Sequence, residues 1–467
     1  MKASLAHFPI DALLRADFGA FVHKTFQTLN PGATFLNNWH LQAIGHHLNA
    51  CRAGTIKRLV ITMPPRSLKS VCSSVAFPAF LLGHDPAQRL ICLSYAGDLA
   101  AKHSRDFRKV IGEAWYQRIF PGLLLSKETE MEIETTQGGL RFATSIGGAL
   151  TGRGGDLIIV DDPLKPEEAM SQSSRERVNR FFGETLYSRL DNKAEGVIIV
   201  VMQRLHDDDL AGFVLRQQGW THLNLPAIAT TDQVIPIGYG RTYTRRAGEA
   251  LHSAREPLEV LETMRTMIGS ATFQAQYQQA PVPEQGNLIK REWIRFYDVP
   301  PPRDGARIVQ SWDTAQKGDQ IHDYSVCSTW LSRNNDHYLL DVIRFQEEYP
   351  HLIRRAVAAY STHKPDVVLV EDQGSGTAMI QDLKANHGVS PIAFRPKADK
   401  VTRLWTVSAL LEAGQVYLPR NAPWVPELLT ELLSFPQARY DDQVDSLTLY
   451  LLWSRDRSVN LFEVHWD

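Results

Sequence analysis

Three groups of side chains in this sequence stand where they could act on phosphate. The first is Lys69-Ser70, at the end of PPRSLKS (64–70) and just after the β-forming run RLVITM (58–63). A lysine there can reach the β- and γ-phosphates of ATP and a serine can hold Mg2+, while the amides and dipole of a following helix favour the anion. The standard phosphate-loop pattern, G-x-x-x-x-G-K-[ST], places glycines at 63 and 68, where this chain has Met63 and Leu68; a plain surface turn is the competing reading. The second group is Asp161-Asp162, closing the apolar run DLIIVDD (156–162). In phosphate-loop ATPases such a strand lies beside the loop strand; its first acid orders the Mg2+ shell and its second polarises the attacking water. Asp-Asp-Pro also makes a good turn or helix cap, but loop and acids together favour ATP. Arg66 and Ser67 within the loop could contact phosphate oxygens. Trp39 and Gln42, in NNWHLQAI, could stack on and hydrogen-bond an adenine. Gln203 and Arg204 follow GVIIVVM (196–202), where a γ-phosphate sensor coupling hydrolysis to movement could sit.

The third group is acidic. Asp313 ends RIVQSWD (307–313), Glu371 and Asp372 end VVLVED (367–372), and Asp441, Asp442 and Asp445 open DDQVDSLTLYLLW. Residues three and four apart share a helical face, which leaves Val444, Leu447 and Leu451 to pack on a sheet. Asp313, Glu371, Asp442 and Asp445 could converge on two Mg2+ or Mn2+ ions that activate water and stabilise the leaving oxygen of a phosphodiester. Whether Asp441 or Asp442 faces the metal stays open, and any one of these acids alone reads as a cap or an exposed charge. Between them, FRPKADKVTR (394–403) sets Arg395, Lys397, Lys400 and Arg403 against Asp399. Such a loop could neutralise DNA phosphates; a solvated helix face is the bland alternative.

The elements that would position these groups fall into two sets. The runs at 58–63, 89–95, 156–162 and 196–202 are continuous in Val, Ile and Leu, as expected of a parallel sheet covered on both faces. Helical patterns lie between them at 69–82, 98–115 and 174–189, an alternation that indicates an α/β doubly wound domain. A Pro- and Gly-marked stretch then precedes a second set, with strands at 307–313, 324–332, 337–345 and 367–372 and helices near 376–386, 400–412 and 441–453, which suggests a mixed α/β sheet. The expected division is 1–280, a linker over 281–305, and 306–467.

The 467 residues suffice for two or three domains with their own cores. With 50 Lys and Arg against 52 Asp and Glu, a nucleic-acid partner must be met by a local basic patch, not by global charge. Cys51, Cys72, Cys92 and Cys327 are scattered, which argues against a zinc site or a disulfide framework and suits a reducing compartment. No apolar stretch approaches a bilayer span or a signal-peptide core.

In order, PPRSLKS, SIGGALTGRGGDLIIVDDP, MQRLHDDDL, FQAQYQQAPVPEQGNLIK, WDTA, VEDQGSG, KADKVTR and DDQVDSL resemble the large terminase subunits of tailed phages and prophages, from about residue 35 to about residue 455. The resemblance implies an N-terminal packaging ATPase of RecA/ASCE type and a C-terminal RNase H-like endonuclease. It also implies double-stranded DNA as substrate, a portal protein and a small terminase subunit as partners, and a pentameric ring docked on the procapsid in the host cytoplasm. By it, Lys69 and Ser70 are the phosphate-loop pair and Asp161 the Mg2+-organising acid. The next position, commonly Glu in the family, is here the shorter Asp162. Gln203-Arg204 resembles the coupling motif. Asp313, Glu371 and Asp445 resemble the nuclease ligands, with Asp442 a fourth. A helicase or repair nuclease with the same ATPase core is the alternative enzyme, although no second loop-and-acid pair follows Arg204. A catalytically inactive portal adaptor is the non-enzymatic alternative, raised by the missing glycines.

Overall fold

The structure, a computed structural model, describes residues 8–150, 152–281, 288–314, 324–396, 398–438 and 440–462. Lys397, one of the four expected DNA-binding cations, lies outside the described residues. The chain forms two compact units, one of residues 1–265 with 270–283 and one of 266–269 with 284–467.

The first unit is built on β1 (Arg58–Thr62), β2 (Arg89–Ser94), β3 (Leu125–Glu128), β4 (Glu132–Thr135), β5 (Leu140–Ser145), β6 (Leu157–Asp161), β7 (Val197–Met202) and β8 (Thr221–Asn224). Their order is β3-β4-β5-β2-β6-β7-β1-β8. From β5 to β8 the neighbours run parallel; β3 and β4 add an antiparallel edge. The central runs are continuously apolar because alternate residues enter different cores. Leu59, Ile61, Ile159 and Ile199 pack on one face, and Val60, Ile158, Val160, Ile198 and Val200 on the other. A hairpin of β9 (Gln233–Gly238) and β10 (Arg241–Arg245) follows.

One expectation is corrected here: β6 is not beside β1. β7 lies between them, so the loop strand and the acid strand are about 9–10 Å apart. The two still meet because the loop crosses the end of β7, where the Met63 amide donates to the Met202 carbonyl (3.2 Å). The expected helix over 69–82 begins as a π-helical turn, Val71–Ala76, before the α-helix Phe77–His84.

The second unit holds β11 (Arg295–Tyr297), β12 (Arg307–Asp313), β13 (Ser325–Arg333), β14 (Asp336–Phe345), β15 (Val367–Glu371), β16 (Ile392–Phe394) and β17 (Val416–Pro419). They form one mixed sheet in the order β11-β17-β14-β13-β12-β15-β16. β12 to β14 are antiparallel neighbours, whereas β15 runs parallel to β12. Val309, Val326 and Leu369 share a core with Val444, Leu447 and Leu451 of the helix Asp442–Phe462. Trp312, Cys327 and Val370 face the opposite core, with Leu352 and Met379. The expected linker is shorter than 281–305. Ile289 and Ile294 are buried in this second core, and β11 pairs in parallel with β17. A three-residue edge strand has too little pattern to be read from sequence.

Trp330 stacks on Tyr450 (4.5 Å between centroids), and His337 Nδ1 is hydrogen-bonded to the Tyr450 hydroxyl (2.8 Å). Burial lowers the His337 pKa from 6.5 to about 4. The folded chain therefore keeps this ring neutral while the unfolded chain protonates it. As pH falls through that window the unfolded state binds the extra proton, and stability drops by about 1.4 kcal/mol per unit on account of this residue. Denaturant titrations of the parent and His337→Gln should differ in pH dependence by that slope; parallel curves would exclude a buried neutral histidine. Among the described residues all four cysteines are buried and unbridged, and no helix is long and apolar enough to cross a membrane.

Candidate functional site

Residues 64–70 leave β1 and enter the π-helical turn. Arg66 (φ 57°) and Leu68 (φ 62°) adopt left-handed backbone, and Leu68 stands where the pattern has its second glycine. A left-handed non-glycine residue costs roughly 1–2 kcal/mol. The loop takes that conformation anyway, so the missing glycine changes the cost and not the shape. Asp162 is left-handed too (φ 45°). Backbone strain of this kind clusters where the surrounding structure holds residues for a task.

The side chains converge on the two aspartates. Ser70 Oγ donates to Asp161 Oδ1 (3.1 Å) and Ser74 Oγ to Asp161 Oδ2 (2.6 Å). Burial raises the Asp161 pKa, opposed by Ser74, Lys69 and Ser70. Lys69 Nζ lies 3.0 Å from Asp162 Oδ2, and Asp162 Oδ1 accepts from the Gln203 amide (3.2 Å). Burial raises the Asp162 pKa as well, with Lys69 opposing it. The Gln203 side-chain oxygen is buried and has no hydrogen-bond partner among the described residues. Lys69, Ser70, Asp161, Asp162 and Gln203 thus form one cluster at the C-terminal edge of the parallel strands, where α/β sheets bind ligands. Ser67 is buried in the loop and Arg66 is exposed.

Three expected nucleotide contacts are placed otherwise. The guanidinium of Arg204 is held by Asp209 (Nε to Oδ1 and Oδ2, both 2.9 Å) and by the His206 and Asp207 carbonyls. Asp209 in turn caps the helix Leu210–Leu215, so Arg204 braces a turn and is not free to sense phosphate. Arg204→Ala should destabilise the chain by about 3–5 kcal/mol, because Asp209 is left buried and unpaired. A variant that melts like the parent yet loses ATP turnover would restore the sensor reading. Trp39 is stacked on Tyr243 (4.5 Å, 8° between planes). Gln42 lines a cavity of about 950 Å3 to which residues 64–70 contribute nothing.

Other residues around the loop were missed in the sequence. Arg255 donates to the Arg66 carbonyl, and nothing near it in sequence signals this. Arg141 is fully buried and donates to the Ser74 carbonyl (3.2 Å) and Ser104 Oγ (3.1 Å). Its signal was available, an arginine inside the β run LRFATS.

In the second unit, Asp313 and Glu371 each follow the paired Trp312 and Val370 of adjacent parallel strands. Alternation puts both carboxylates on the face covered by the helix Asp442–Phe462. That helix is pinned by Ser446, whose hydroxyl donates to the Ser311 carbonyl (2.8 Å) and accepts from the Ser328 amide (3.1 Å). Glu431 accepts from the Gln443 and Val444 amides (2.7 and 3.1 Å) and fixes the helix start. Asp442 and Asp445 are thereby brought to Asp313. Burial, then the like charges of Asp445, Glu371 and Asp442, raise the Asp313 pKa well above the usual carboxylate range. Burial, with Asp441 and Glu431, raises Asp442 to about 6. Asp442 is thus among the charges acting on Asp313, whereas Asp441 is tied to Lys400 (2.7 Å).

Three of the four expected DNA-facing cations, Arg395, Lys400 and Arg403, are placed on acids instead. Arg395 pairs with Asp372 (2.7 Å), and Lys400 with Asp441 and Asp445 (both 2.7 Å). Arg403, 6% exposed, lies between Asp445 (2.9 Å) and Glu371 (3.7 Å). Arg403 is therefore part of the acidic site and not of an open phosphate-binding loop. Among the described residues no three Asp, Glu, His or Cys side chains stand close enough to hold an ion as they are; the two cations interleave the acids. The acids nonetheless suit divalent metal. All are oxygen donors, and a cation of higher charge would relieve the repulsion that raises their pKa values.

Residues 310–452 match the family model described as the terminase RNaseH-like domain. No curated protein matches the chain in sequence. The large terminase of a thermophilic bacteriophage, in its crystal form 2, is similar at TM-score 0.54 and 12% identity, over 90% of this chain and 98% of that one. The same phage protein in complex with ADP, in crystal form 3, is similar at TM-score 0.52 and 11% identity, over 92% and 98%. The chain has the fold of these large terminases, a mostly parallel α/β unit followed by a mixed-sheet unit that the RNaseH-like model matches.

Proposed function

We propose that this chain is a phage terminase large subunit. Its first unit hydrolyses ATP to drive double-stranded DNA into a procapsid, and its second cuts concatemeric DNA when packaging begins and ends. The observation that carries the reading is the joint presence of two phosphate-chemistry clusters on the two expected folds. One is Lys69–Asp162 with Ser70–Asp161 at the left-handed loop, and the other is Asp313 and Glu371 at strand ends with Asp442 and Asp445 of the helix that covers them.

In the first cluster, Lys69 faces the γ-phosphate, Ser70 and Asp161 hold Mg2+, Asp162 orients the attacking water, and Gln203 reports on the γ-phosphate. In the second, Asp313, Glu371 and Asp445, with Asp442, hold divalent ions, Mg2+ or Mn2+. When bound, these supply activation of water and neutralisation of charge on the phosphodiester. The protein residues set the spacing, with Ser446 fixing the helix against the strand that carries Asp313. The partners that go with this reading are a portal protein, a small terminase subunit and further copies of the chain in a ring.

Purified protein incubated with plasmid DNA, with and without Mn2+ and ATP, tests both halves. We expect metal-dependent cleavage and DNA-stimulated ATP hydrolysis. Hydrolysis without cleavage under any metal would favour a motor or helicase alone, and neither activity would favour the inactive adaptor.

A further inference from the structure

Lys400 and Arg403 lie one turn apart at the start of the helix Lys400–Glu412, whose first turn is capped by Asp399 (Thr402 amide to Oδ1, 2.9 Å). Both reach the nuclease acids, but they hold them differently. Arg403 is buried, with Nη2 2.9 Å from Asp445 Oδ1 and Nη1 3.7 Å from Glu371 Oε1. It spans the carboxylates of β15 and the final helix, and leaving them would strand a buried charge. The Lys400 side chain is 46% exposed, with Nζ 2.7 Å from Asp441 Oδ1 and 2.7 Å from Asp445 Oδ2. A half-exposed ammonium on a flexible stem exchanges partners at little cost, unlike a buried guanidinium. Both oxygens of Asp445 are therefore taken, one by each cation. Each oxygen keeps a further lone pair, but a divalent ion approaching Asp445 meets the positive charge of both cations, and the half-exposed Lys400 is the one that gives way more readily.

We propose that Lys400 is a displaceable counter-ion of the nuclease site. It holds Asp441 and Asp445 in the metal-free chain and competes with the divalent ion for Asp445. A DNA phosphate draws it off, so that DNA opens the site to metal. The inference rests on the nuclease reading above. In both states the ammonium faces negative charge, first carboxylate and then phosphate; Asp441, which loses it, is partly exposed and is left to water. Its consequence is linkage, in which DNA and metal each raise the other's affinity by the same factor through Lys400.

Calorimetric Mn2+ titration of the full chain without nucleotide tests this, with and without a cleavage-resistant phosphorothioate duplex. Without DNA, Lys400→Gln is expected to bind Mn2+ about tenfold more tightly than the parent, as two ion pairs no longer compete. Lys400→Arg, which keeps the charge, should bind like the parent. The duplex should tighten Mn2+ binding in the parent and do so much less in Lys400→Gln. Affinity in Lys400→Gln that equals or falls below the parent's, in protein that melts normally, overturns the proposal. The control is Asp445→Asn. If it binds Mn2+ as the parent does, the nuclease assignment of the site fails first, and the role of Lys400 with it.

Discussion

Lys69→Ala is expected to lower DNA-stimulated ATP turnover by about 10²–10³-fold while the protein stays folded. The ammonium is buried in the loop, 3.0 Å from Asp162, and in the proposed function it is the contact to the γ-phosphate. Loss of one fixed electrostatic contact to charge that develops in the transition state has that order of effect. The fold survives because the stranded aspartate has an outlet. Burial already raises the Asp162 pKa with Lys69 opposing it, so without the lysine it can take up a proton. Steady-state phosphate release with and without DNA measures the loss, and circular dichroism checks the fold. Parental turnover in Lys69→Ala would remove the phosphate-loop assignment, whatever the backbone conformation of the loop.

Asp313→Ala and Asp445→Ala should each end DNA cleavage and leave ATP turnover largely intact. Asp313 is surrounded by Asp445, Glu371 and Asp442, and metal ions held by several carboxylates are lost when one is removed. The residues proposed for ATP belong to the other compact unit, so the two activities should separate by mutation and by truncation. The structure sets the truncation point before the expected linker's end. A fragment starting at residue 305 would lose β11 and the core side chains Ile289 and Ile294, whereas one starting at 288 keeps them. We expect the 288–467 fragment to fold and cut DNA with Mn2+ or Mg2+ without ATP, and the shorter one to be less stable. Plasmid relaxation and thermal melting of both decide this. If the longer fragment folds but never cuts, Mn2+ calorimetry separates an incomplete site, which still binds metal through Asp313, from acids that are only structural.

What the sequence determined by itself was the material buried on both sides of each sheet and the acids at the strand ends. β1, β6 and β7 were legible because a parallel strand covered on both faces must be apolar at every position. Asp161 and Glu371 were legible because a carboxylate directly after such a run is forced to the strand's end, and Asp313 because it closes the β-forming run RIVQSWD. The helix carrying Asp442 and Asp445 was legible from its spacing of acids against Val444, Leu447 and Leu451. Order across the sheet and the partners of charged side chains were not local. That β7 separates β1 from β6 depends on which strands pair, and no single strand's pattern encodes this. The pattern puts a glycine at 68, but the leucine there argues against a left-handed backbone, and only the structure shows that the loop adopts one anyway. Arg204, Lys400 and Arg403 read as free cations in a linear string. Only the tertiary structure set each beside a buried or half-buried carboxylate, where burying a charge without its partner costs more than the solvent-facing role expected for it.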